Sequence, residues 1–112
     1  MSRYRTEGIV RDLEAGKHVV LMSHRYRQMQ HVFRQVEHSI PPEEIERLTR
    51  ANGNERITMC NGGQLNLNHT NDARGLTADI VVYLGWSEVT DVDTFERICD
   101  RIGMAKAELV QA

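Results

Sequence analysis

Three histidines, His24, His31 and His38, recur every seven residues across a segment that also holds Arg25, Arg27 and Arg34. Imidazole is the commonest metal ligand among side chains, so the repeat first raises metal binding. On a helix, however, positions seven apart lie about 10.5 Å apart along the axis, and a shared zinc ion needs ligands three or four residues apart. The histidines are therefore expected to form a solvent-facing stripe, with no metal site. The arginines around them, with Gln28 and Gln35, suit a different chemistry. Guanidinium and amide side chains on one helix surface contact phosphate oxygens, which makes nucleic-acid contact one functional reading of the segment. Its bland counterpart is an ordinary solvated face, with Glu37 offsetting part of the charge.

Other reactive residues are sparser. Cys60 and His69 flank a run that reads as a hairpin, and a Cys–His pair across it is conceivable, although nothing marks either group as activated. Arg74 sits in a polar loop beside Asp72, as an anion-binding group or as half of an ion pair within the loop. Tyr83 and Trp86 fall at the end of an apolar run in a chain with only 5% aromatic residues. Each could cap the core or anchor a protein interface. Gly16-Lys17 has the wrong spacing and no following hydroxyl for a phosphate-binding loop, so it reads as a helix stop. No cofactor or metal site is expected.

The elements that must carry these residues follow from periodicity. The chain has 112 residues, enough for one domain over 1–112, with 40% hydrophobic and 27% charged residues, as in ordinary globular proteins. Its apolar runs are far shorter than the roughly 20 residues that span a bilayer, and MSRYRTEGIV lacks the apolar core of a signal peptide. A cytoplasmic protein without membrane partners is the expectation. The net charge of −2 is unevenly spread: residues 1–38 hold seven Lys/Arg against four acids, and residues 39–112 seven against twelve. Cys60 and Cys99 are read as two buried free thiols, because free cysteine is among the most buried residue types.

Residues 3–15 predict a helix with Ile9, Val10 and Leu13 inward. The unbroken apolar run from His18 to Ser23 predicts a strand buried on both faces. Ser23 is placed as N-cap of a helix over 24–38 with Tyr26, Met29, Phe33, Val36 and Ile40 on its apolar face. After Pro41-Pro42, a second helix is predicted with Glu43 and Glu44 in its first turn and a thin stripe of Ile45 and Leu48, ending at Asn52-Gly53. Ile57, Met59, Leu65 and Leu67 alternate about Asn61-Gly62-Gly63 as a hairpin, with Asn66, Asn68 and His69 outward. Asp79 to Leu84 is a second strand buried on both faces. Thr90 or Asp91 caps a last helix with Phe95, Ile98, Ile102, Ala105 and Leu109 inward.

Three segments resemble part of a known family. They are KHVVLMSHRYRQMQ from Lys17, the RITM strand from Arg56 with its Asn-Gly turn and QLNLNH, and ARGLTAD from Ala73 leading into the apolar strand. In order and spacing the stretch from Gly16 to Trp86 is similar to the ATPase domain of phage terminase large subunits and related helicase-like motors. The resemblance implies an α/β fold: a small three-layer P-loop-ATPase-like sheet, mostly parallel, with one antiparallel hairpin and flanking helices. It also implies phage or prophage origin. In the family the second apolar strand ends in an Asp-Glu pair that serves Mg²⁺ and the attacking water; here it ends in Leu84-Gly85. Residues 3–15 stand where the helix after the phosphate loop would stand. The expectation is a non-catalytic remnant that binds a protein, a host factor or a second copy of itself, through surfaces including Tyr83, Trp86, Arg25, Arg27, Arg34 and Arg74. Alternatives are a nucleic-acid accessory module working through the basic helix, and an ATPase completed in trans by a partner.

Overall fold

The computed structural model describes residues 6–23, 25–50, 55–69, 78–84, 96, 100 and 108–111. In chain order they form α1 (Glu7–Glu14), β1 (His18–Ser23), α2 (Tyr26–Ser39), a 3₁₀ turn (Pro42–Glu44), β2 (Ile45–Thr49), β3 (Arg56–Met59), β4 (Gln64–His69), β5 (Ile80–Tyr83) and β6 (Glu108–Gln111). The strands join in one sheet of order β2-β3-β4-β1-β5-β6.

α1 forms because Ile9 and Leu13 lie on one face, and both are fully buried. It stops where the sequence says it should. Gly16 takes φ 80, which costs a residue without Cβ nothing. Its N–H bonds the Leu13 carbonyl while the Lys17 N–H reaches back to Asp12, the paired closure of a Schellman motif. Gly16-Lys17 is thus a helix terminus that turns the chain into β1.

β1 runs parallel to β4 on one side and to β5 on the other. Val19 to Ser23 are all buried, as are Ile80 to Leu84, so neither strand alternates. Val19, Leu21, Ile80 and Val82 join Leu65, Ile57 and Met59 in a core closed by Ile9 and Leu13 of α1 and Met29, Val32, Phe33 and Val36 of α2. Each such large apolar side chain contributes about 1.5–3 kcal/mol on burial. Val20, Met22, Val81 and Tyr83 are buried on the other face of the same two strands.

The hairpin is as predicted: β3 and β4 are antiparallel, with Ile57 opposite Leu65 and Arg56 opposite Asn66. Its turn leans on α1. The Asn61 side-chain amide donates to the carbonyls of Leu13 (3.1 Å) and Glu14 (2.8 Å), and its oxygen accepts from Gly63 N–H at 2.9 Å. A Cβ on Gly63 would lie 2.5 Å from the Leu13 carbonyl oxygen, so only glycine lets the turn approach.

The expectation of a mostly parallel sheet with a single hairpin is overturned. Residues 45–49, predicted as helix, form β2, which pairs antiparallel with β3 and adds a second antiparallel pair to the sheet. The result is a mixed sheet: β2, β3 and β4 make an antiparallel half beside the parallel strands β1, β5 and β6. The two long described helices, α1 and α2, contact each other and both pack on β1, so they share one face. The misreading has a physical cause. Ile45 and Leu48 stand three apart, which suits one helix face, but a register shift between Ile45 and Arg47 lets both sit opposite core residues, Met59 and Ile57. A helix with two apolar residues would have covered less.

Two smaller corrections concern ends. α2 begins at Tyr26 after Arg25, without a side-chain cap; Ser23 Oγ instead accepts from Arg25 N–H and donates to the Gln28 side chain. Leu109, predicted on a helix, lies in β6, parallel to β5. Glu96 and Asp100 are helical. Thr90, Asp91, Phe95, Ile98, Ile102 and Ala105 lie outside the described residues, as do Asn52 and Gly53. No helix among the described residues is long and apolar enough to cross a membrane.

Candidate anion-binding face

α2 presents two surfaces. Met29, Val32, Phe33 and Val36 are buried against the sheet, with Val32 filling a core position that the sequence reading had not included. On the opposite side Arg27, His31, Arg34 and His38 are exposed. Their steps of four, three and four residues return to the same helix azimuth, so they form a single row of about 16 Å along the axis. Arg25, just before the helix, is exposed as well.

The acid expected to weaken this row is turned away from it. The Glu37 side chain is 12% exposed and accepts a 2.8 Å hydrogen bond from Arg50 Nε, beyond the end of β2. That hydrogen bond and the carboxylate's charge hold the Arg50 guanidinium above its usual range. Glu37 thus spends its charge on Arg50, and among the described residues of α2 the outward row holds cationic and imidazole groups only.

The remaining sequence candidates separate. Tyr83 is fully buried on β5, so its ring belongs to the core and not to an exposed contact surface. Trp86, Arg74 and His24 lie outside the described residues. Cys60 is a free thiol but exposed, not buried as expected, because it follows β3 at the turn end of the hairpin, its thiol 3.7 Å from the Glu43 carbonyl, whereas His69 is the last residue of β4. Five residues of strand from Gln64 separate the two by about 16 Å, which breaks the conceivable Cys–His pair. No cluster of three or more His, Cys, Asp or Glu able to hold a metal ion occurs among the described residues.

One acidic group went unnoticed in the sequence. Glu55, the residue before β3, is 4% exposed and is the one buried charged residue among those described. The Tyr26 hydroxyl donates to its Oε2. Its only sequence signal was a charge placed directly against an alternating strand.

No protein-family profile matches the chain, and no curated protein matches it in sequence.

Proposed function

We propose that this chain is a non-catalytic binding module that holds a nucleic-acid strand by its phosphates along the outer face of α2. The observation that carries the reading is the exposed row Arg27, His31, Arg34 and His38, free of carboxylates because Glu37 is engaged by Arg50. Guanidinium groups are suited to phosphate by charge and by their fixed fork of donors. The overall charge of −2 does not oppose this, because the positive groups concentrate in the first third of the chain.

Two observations favour this reading over an apolar protein-binding surface. Tyr83, one of the two aromatic anchors considered, is inside the core. Self-pairing through β2 is opposed by the irregular register at Ile45/Arg47 and by exposed Glu46 and Arg47, devices that blunt a sheet edge. The ancestry implied by the terminase-like order of segments stays within this proposal; hydrolysis does not, because the second apolar run ends in Leu84-Gly85 where the family has its acid pair.

Fluorescence anisotropy with labelled single-stranded and duplex oligonucleotides tests the reading. Binding is expected at low salt, weakening as salt rises with a log–log slope of about −1.4 to −2.8 for two to four phosphates on a single strand. Arg27→Ala is expected to weaken all sequences equally and to reduce the slope by about 0.7. No binding at low salt, or binding indifferent to salt, sinks the proposal. Turnover of ATP with Mg²⁺ by the purified chain would remove the word non-catalytic.

A further inference from the structure

Beside the outward row, α2 borders a cavity of about 370 Å³, within the range of small-ligand pockets. Gln30, Phe33, Arg34, Glu37 and His38 line it from the helix, and Arg50, after β2, and Glu55, before β3, line it from the sheet side. Arg34 therefore belongs to both the row and the cavity. The polarity is graded. Arg34 and His38 are exposed, Arg50 is already paired with Glu37, and the acid Glu55 is buried. Glu55 Oε2 is satisfied by Tyr26, but Oε1 is shielded from solvent and has no hydrogen-bond partner. A buried carboxyl oxygen left without a hydrogen-bond partner is costly. The cavity thus wants an N–H at its inner wall and a negative group at its mouth.

A nucleotide unit has that distribution. Cytosine and adenine carry an exocyclic amino donor, and carboxylates accept from cytosine N4. An unstacked base also packs well on a guanidinium plane. We propose that this cavity receives one amino-bearing base of the strand held along α2, its amino group donating to Glu55 Oε1 while its phosphate remains at Arg34. This rests on the nucleic-acid reading of α2 and gives it a base preference.

The test compares 12-residue homopolymers of cytosine and of thymine by anisotropy at low salt; thymine lacks the amino group, and its ring N3–H is flanked by two carbonyl oxygens that a carboxylate repels. The cytosine strand is expected to bind about tenfold more tightly, the scale of one hydrogen bond to a charged group. Glu55→Met removes the acceptor and is expected to bring cytosine to the level of thymine without changing the latter. Glu55→Gln, which keeps the side-chain shape, should shrink the preference part-way and guards against a Met variant that does not fold. Equal binding of both strands by the wild-type chain, or a preference that survives both substitutions, overturns the inference while leaving α2 as a phosphate-binding face. If neither strand binds, the reading of α2 fails, and free cytidine monophosphate then tests the cavity alone. A shift of the Glu55 amide resonance would support the site, and no shift at millimolar nucleotide would end it.

Discussion

α1 and α2 lie on the same face of the same sheet and contribute to one core, yet the chain treats them differently. α1 is held at its C-terminus by a Schellman closure and by Asn61, whose amide bonds two of the helix's last carbonyls. α2 has no side-chain cap at its N-terminus and carries an outward row of Arg and His. The turn contacts of α1 tie the hairpin to the helix layer. The outer residues of α2 make no comparable demand on the fold, and such positions are where a recognition surface can be placed without loss of stability.

Substitutions can break this contrast at three depths. The largest effect is expected from Phe33→Ala on the inner side of α2, where a fully packed aromatic is lost; denaturant titration should show about 3–5 kcal/mol of destabilisation. Gly63→Ala should come next, at about 1–3 kcal/mol, because the new methyl must push against the Leu13 carbonyl, a backbone atom, 2.5 Å away. Asn61→Ala should cost about 1–2 kcal/mol by uncapping α1. Neither turn variant should alter oligonucleotide affinity once folded. Arg27→Ala should do the reverse, leaving stability within about 0.5 kcal/mol while weakening binding. A large stability loss from Arg27→Ala would show that the outer row serves the fold.

The sequence revealed most where burial is extreme. The unbroken apolar runs of β1 and β5 announced two buried faces, and the 3-4 spacing of Met29, Phe33 and Val36 announced the inner side of α2. It misled where burial is partial. Ile45 and Leu48 satisfy a helix as well as a strand, and only the partner β3, supplying Ile57 and Met59, decides between them. Leu109 continued a helical rhythm, but β5 offered it an open parallel edge. The basic row was legible because exposure follows from the opposite, apolar side. The role of Glu37 was not, since its partner Arg50 is contributed from beyond β2. Glu55 was hidden for the same reason: its burial depends on Tyr26, 29 residues earlier.

β1 is also a matter of timing. His18 finds its register partner in Gln64 and Val19 in Ile80, so both neighbours of the central strand are synthesised long after it. A nascent chain emerging from the ribosome carries this apolar segment with both edges open, and only α1, made before it, and α2, made directly after it, are at hand to shelter one of its faces. Long-range parallel pairing of this kind forms slowly and exposes the unpaired strand to other chains. The inner sides of α1 and α2, which read in the finished fold as ordinary core, are on that view the chain's own escort for β1 until β4 and β5 arrive.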